Sequence, residues 1–341
     1  MKTRLLSICL VAALIFSMVS CTLFEKNDNT NDGTNTSPEI INVYTLNGTT
    51  GFGMAKLMND AKMGTTTEKY NFSVQTDASM VTSALLNGSA DIAALPTNAA
   101  ANIYNKSAGD VVVLAVNTLG CLYLLTNQNE TVTSFEDLRG KTVYVPAQNP
   151  TFIFTYLCKQ NGLEIGKDIT IDSSTYAQPA SLRDAVASGV VDIAVLPEPM
   201  VTIAINSAKN ANSGTVLTNA MDLTAEWNKV AEQGSLVQGC VVVRRAFLEQ
   251  YPEAVENFLK EYKASIEYLS TDIDSAAQMI VDNGIFTNAG VAKKALPNCN
   301  VCVLDGDAMK SAMQTYLGVL HTIAPASIGG SLPEDNFYYA R

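Results

Sequence analysis

The sequence predicts an α/β protein of two doubly wound lobes joined by a two-strand hinge, and two observations predict it. The first is an internal repeat. Ala84-Leu-Leu-Asn-Gly-Ser-Ala-Asp-Ile-Ala-Ala-Leu-Pro96 recurs 101 positions later as Ala185-Val-Ala-Ser-Gly-Val-Val-Asp-Ile-Ala-Val-Leu-Pro197, with seven positions identical. Each copy reads as a helix end with a Gly at C′ (Gly88, Gly189), then a short apolar strand opened by Asp and closed by Pro. The second observation is the alternation of strand and helix patterns along the chain, which implies mostly parallel sheets. Two lobes built on one plan leave a cleft between them, and clefts are where ligands bind.

Taken in order, the chain opens on an address. Lys2 and Arg4 precede an apolar stretch, Leu5 to Phe16, that is too short to span a bilayer comfortably, and Met18-Val19-Ser20-Cys21 offers a small-residue cleavage site. This resembles the lipobox of bacterial lipoproteins, with Met where Leu is usual. The resemblance implies a signal peptide over residues 1–20 and a mature N-terminus at Cys21 carrying palmitate-type acyl chains, several of which anchor stably where one is marginal. The alternative is an ordinary secretory signal with an incidental Cys. Residues 21–37 are polar and rich in Asn, Asp and Thr, a composition that cannot bury a core and is expected to form a disordered tether.

The rest is long enough for two domains. Strands are expected at residues 40–46, 72–76, 91–95, 111–117 and 121–126, with helices after Gly53 and after Ser79. A second series follows: a short helix over 134–140, strands at 142–145, 169–172 and 192–196, and helices at 152–161 and 180–188. After a polar stretch carrying the sole Trp, Trp227, come a strand at 240–244 and a helix at 252–269 with Val255, Phe258, Leu259 and Tyr262 on one face. The C-terminal helices pack most economically on the first lobe. Lobe 1 is then 38–120 with 241–341, lobe 2 is 121–240, and the crossings fall near Gly120-Cys121 and Gly239-Cys240.

Composition narrows the partners. The chain has 22 Lys and Arg against 33 Asp and Glu, and losing Lys2 and Arg4 with the signal leaves 20 against 33, about −13. That balance argues against nucleic acid and anionic lipid headgroups as partners. Beyond Cys9 and Cys21 there are five Cys, an odd number that precludes a full disulfide framework without a free thiol. Cys299-Asn-Val-Cys302 has CxxC spacing but no second pair and lies in an apolar run, which fits buried thiols better than a metal or redox site.

The order of motifs resembles the type II periplasmic-binding fold, and within it the solute-binding proteins of ABC importers for nitrate, sulfonates, taurine and thiamine-precursor pyrimidines. The matching stretches are the Gly-rich turn 47–53, Gly-x-x-Asp-Ile-Ala at 88–93, Ser134-Phe-Glu-Asp-Leu-Arg-Gly-Lys-Thr-Val143, Gly-x-x-Asp-Ile-Ala-Val-Leu-Pro-Glu-Pro at 189–199, and Val241-Val-Val-Arg-Arg-Ala-Phe-Leu-Glu-Gln-Tyr-Pro-Glu253. The resemblance implies a monomeric binding subunit that closes on a small solute, without a cofactor, and hands it to a permease driven by a cytoplasmic ATPase. It also admits two other classes: enzymes of menaquinone or thiamine-pyrimidine biosynthesis, and a sensor lipoprotein that does not transport. The enzyme reading finds little support. His321 is the only histidine, it has no acidic partner at triad-like spacing, and the chain holds no P-loop, no Gly-x-Ser-x-Gly and no dinucleotide-binding glycine pattern.

The candidate ligand residues lie in loops at the carboxyl ends of the strands. They are Asn47, Thr49, Thr50 and Phe52; Asp77; Thr97 and Asn98; Gln148, Asn149, Thr151 and Phe152; Tyr176 and Gln178; and Glu198. Several of these loops run into helices, whose N-termini suit acceptor atoms or anions. None contains Lys or Arg. Amides, flat rings and two carboxylates suit a neutral or weakly basic, nitrogen-bearing organic molecule stacked on Phe52 or Phe152. Against this, Asp77 can serve simply as a helix cap, Glu198 can face bulk water, and Asn47 can belong to the turn alone.

Overall fold

A computed structural model describes residues 37–210 and 214–340; the signal segment, Cys21 and almost all of the expected tether lie outside the described residues. The strands are β1 Ile41–Leu46, β2 Tyr70–Gln75, β3 Ile92–Pro96, β4 Val111–Leu119, β5 Leu122–Asn127, β6 Thr142–Tyr144, β7 Thr170–Asp172, β8 Ile193–Pro197, β9 Leu217–Asp222, β10 Val237–Arg244 and β11 Val301–Leu304. They form two sheets, ordered β11-β4-β10-β3-β1-β2 and β7-β6-β8-β5-β9.

Each sheet holds a parallel trio, β2-β1-β3 or β7-β6-β8, and the repeat strands β3 and β8 occupy the same place in their trios. Gly88 and Gly189 both adopt left-handed backbone, φ 79° and 77°, which a residue with a Cβ resists. The repeat Asp pins neighbouring strands in both copies. Asp91 accepts hydrogen bonds from the Asn42 backbone N–H on β1 and pairs with Arg244 on β10, 2.7 Å away, while Asp192 accepts from the Asn127 side chain on β5. The sheets are less parallel than expected, because β10 runs antiparallel to both β3 and β4, and β5 antiparallel to both β8 and β9.

The second crossing also lies elsewhere than expected. Gly239 and Cys240 sit inside β10, opposite Pro96 and Leu95 of β3, so the chain returns to the first sheet through 223–236. The polar stretch before it contains β9 and the helix Leu223–Val230, capped by the Asp222 carboxylate. The first crossing is tight: a Cβ on Gly120 would lie 2.3 Å from Thr224 Oγ1 and 2.5 Å from Leu236 Cδ2.

Alternation along the strands builds three apolar clusters. Leu122 and Leu124 of β5, Ile193 and Val195 of β8, Leu95 of β3 and Cys240 of β10 face one shared cluster that also takes in Trp227 and Tyr316. The opposite faces build separate cores, one under the first sheet around Phe52, Phe258 and Tyr262, the other under the second around Tyr123, Leu182 and Leu196. The shared cluster makes the described residues a single compact unit.

Candidate functional site

Three of the predicted loops, those carrying Thr49, Asn149 and Glu198, come together near the first crossing. Antiparallel pairing sets Pro197 at the end of β8 beside Leu122, and the Glu198 backbone N–H donates to the Cys121 carbonyl at 2.9 Å. The Thr49 side chain lies against the Cys121 thiol, and the Asn117 side chain donates to the Thr50 carbonyl at 3.2 Å and to the Tyr262 hydroxyl at 3.1 Å. From the C-terminal helix Gly306–Ile323, the Tyr316 hydroxyl donates to Asn149 Oδ1 at 2.6 Å. Thr49, Thr50, Asn149 and Glu198 are therefore gathered at one centre, linked by residues that the sequence did not place among the ligand contacts: Asn117, Cys121, Tyr262 and Tyr316.

Thr97 and Asn98 open the helix Thr97–Lys106 directly after β3. Thr97 is fully buried beside the Cys240 thiol, and Asn98 Oδ1 is shut off from solvent without a hydrogen-bond partner. Such an acceptor is costly to bury unless something donates to it. Gln148, the N-cap of helix Asn149–Gln160, is exposed with φ 67°, a backbone state that costs a side-chain-bearing residue about 1–3 kcal/mol and clusters at functional sites. Thr151 turns its hydroxyl back to the Pro146 carbonyl, 2.7 Å, and so secures the loop. Phe152 is half-buried against the shared cluster, and Tyr176 is half-buried edge-on to Tyr144. Gln178 and Asn47 are exposed.

The expectation for Phe52 needs correcting, and the alternatives left open for Asp77 and Glu198 are narrowed. Phe52 is wholly buried and meets Phe286 edge-on in the first sheet's own core, so it offers no ring face for stacking. The reason is the short helix Thr49–Phe52, which turns the ring inward. Asp77 is exposed and accepts from the Ser79 backbone N–H at 2.7 Å, acting as the cap of helix Ala78–Leu86; that bond holds its carboxyl below the usual range. Glu198 does not face water. It is 3 % exposed, and its two oxygens accept from the Thr202 N–H at 3.1 Å and the Thr202 hydroxyl at 3.0 Å, with the Asn298 side chain close by. Burial pushes its carboxyl above the ordinary value, and these hydrogen bonds only partly offset that.

The five cysteines among the described residues are free thiols, Cys121 and Cys240 included, and burial pushes both of those up to about 12. His321 lies exposed in the last turn of its helix. Amides, hydroxyls and helix N-termini around a crossing between two sheets can hold and orient a polar solute.

Such a fold is a two-sheet α/β architecture with polar residues gathered at the crossing between its sheets. Residues 55–284 match the family described as ABC transporter, phosphonate, periplasmic substrate-binding protein, and the chain belongs to that family. No curated protein matches it. Among solved structures, an ABC transporter from Parabacteroides distasonis is similar with 21% identity and a TM-score of 0.74, over 89% of this chain and 100% of that one. The aliphatic sulphonate binding protein SsuA of Escherichia coli is similar at 15% identity and TM-score 0.69, over 89% and 92%. The nitrate-binding protein NrtA of Synechocystis is similar at 14% and 0.59, over 83% and 80%. These likenesses establish the fold, two sheets in a periplasmic-binding architecture.

Proposed function

We propose that the protein captures a small organic solute between the loops that end β1 and β3 and those that end β6 and β8, and delivers it to an ABC permease without chemical change. Lipidated Cys21 would hold it at the outer face of the cell membrane through the polar tether. Two lobes, 38–120 with the C-terminal segment and the span from 121 to the return through 223–236, would swing together on the solute, whose better contacts in the closed state drive closure.

The observation that carries the solute class is the donor and acceptor set. The predicted contact residues include no Lys or Arg, while Asn98 Oδ1 is an acceptor lacking a donor. A solute bearing N–H or O–H groups, stacked on Phe152 or Tyr176 now that Phe52 is excluded, fits that set. Glu198 becomes a supporting residue, since Thr202 donates to both of its oxygens. A second reading, a small phosphonate or sulfonate, is favoured by the family match and by the N-termini of helices Thr97–Lys106 and Asn149–Gln160.

A thermal-shift screen of the protein from about residue 38 separates them, because a ligand that binds only the folded state stabilises it by about 4 kcal/mol at a thousandfold excess over Kd. Nitrogen heterocycles and amino acids that raise Tm while methylphosphonate, ethanesulfonate and nitrate do not would support the first reading. The reverse pattern would establish the oxyanion.

A further inference from the structure

The two flanks of the crossing differ in kind. On one, the shared apolar cluster packs Trp227 between Tyr156 and Tyr316 and ties the sheets together mainly by apolar contact, with the Tyr316 hydroxyl donating to Asn149 Oδ1 across it. On the other, Tyr123 points away from that cluster because side chains alternate along β5. There its hydroxyl donates to the Asn298 carbonyl at 2.9 Å. The Asn298 side chain reaches Glu198 at the end of β8, and Lys294 Nζ lies 3.4 Å from Asn206 Oδ1 on the helix after it. Residues 294–300 belong to the first sheet's half, since Cys299 is in its core and β11 pairs with β4. Tyr123, Glu198 and Asn206 belong to the second.

We propose that Asn298 is a closure latch: by holding Tyr123 through its carbonyl and facing Glu198 with its side chain, it clasps the polar flank, and the halves part there while the more apolar flank serves as the pivot. The latch is a positioning device that acts through Glu198 and needs no solute. It contributes a bias toward the closed state that any solute then completes.

The titratable groups facing Glu198 are the thiols of Cys121 and Cys299 and the phenol of Tyr123, with Asp222 facing Tyr123 in turn. Burial raises the two thiols and the phenol well above neutrality, so they stay uncharged between about pH 5 and about pH 8.

The test uses the solute-free protein and reads amide hydrogen exchange at Tyr123 and Glu198 together with small-angle scattering. Asn298→Asp places a second carboxylate against Glu198. Protection at these amides should fall about ten- to a hundredfold at about pH 8, the loss expected for one charge-assisted hydrogen bond, with an expanded scattering profile. Lowering the pH to about 5 should restore both, because two facing carboxylates can share one proton. A merely destabilised fold would not recover on acidification. Unchanged protection and scattering in Asn298→Asp at both pH values would overturn the latch. Should that variant fail to fold, Tyr123→Phe decides: it removes the bond to the Asn298 carbonyl alone, and protection equal to the wild type's would overturn the proposal. Since no solute is present, either result is independent of which solute the protein carries.

Discussion

Glu198 shows how one residue can be visible in the sequence and still be misread. Its place after the second repeat copy drew attention, but its surroundings come from Thr202 on the next helix turn and from Asn298 in a distant segment. Burial raises its folded-state carboxyl above the unfolded value, so the folded state binds the proton more tightly over the interval between the two. Stability from this group therefore falls as pH rises through that interval, the opposite of the capping aspartates. Asp172, whose carboxyl is lowered to about 2 by hydrogen bonds from Thr175 and Ser174, contributes stability that is lost as pH falls toward that value. Glu198→Gln isolates the first effect. The wild type's stability relative to the variant should decline as pH rises above the ordinary carboxylate range, measured by urea unfolding at stepped pH. A flat difference would mean that the Glu198 carboxyl is not raised.

At the scale of elements, the crossing at 119–122 carries the most constraint. Gly120 touches Thr224 and Leu236 of the returning chain so closely that a methyl group has nowhere to go. Gly120→Ala should destabilise by about 1–3 kcal/mol, as overpacking does, measured as a lowered urea midpoint with unchanged m-value. An unaltered midpoint would show that the two crossings are not in firm contact. The neighbouring helix Leu223–Val230 carries Trp227, whose indole N–H donates to Ser235 Oγ at 2.8 Å in a site closed to solvent.

That Trp becomes useful for the whole molecule. It is the sole Trp and lies between Tyr156 and Tyr316, rings from helices attached to different sheets. If the apolar flank is the pivot, saturation with an identified solute should change Trp227 fluorescence only slightly while the scattering profile contracts. A large red shift would instead mean that the aromatic contact opens. Membrane attachment rests on sequence alone. Replacing Cys21 by Ala should release the protein from the membrane or leave the signal uncleaved, which fractionation and N-terminal sequencing distinguish. A correctly processed Cys21→Ala protein still retained at the membrane would remove the anchor from the account.

What the sequence determined by itself is what local chemistry encodes. The repeat placed β3 and β8, because a left-handed Gly, an Asp that pins neighbouring strands and a closing Pro act within a dozen residues. The capping role of Asp77 was open to the same kind of reading, since a carboxylate two residues before an acceptor-seeking N–H is a local matter. Other features depended on contacts far apart in the chain. β9 escaped notice because a register shift against β5 leaves only Leu217 and Met221 buried among polar neighbours, which breaks the period of two. Phe52 read as a platform because nothing local says which side of a short helix will face the core. The centre at Asn117, Cys121, Tyr316 and Asn298 draws on three separate stretches of chain, and only the packing of two sheets on a shared apolar cluster brings them within hydrogen-bonding reach. Periodicity tells which side chains share a face; the tertiary structure decides what that face meets, because burial and hydrogen bonding are satisfied between elements rather than within them.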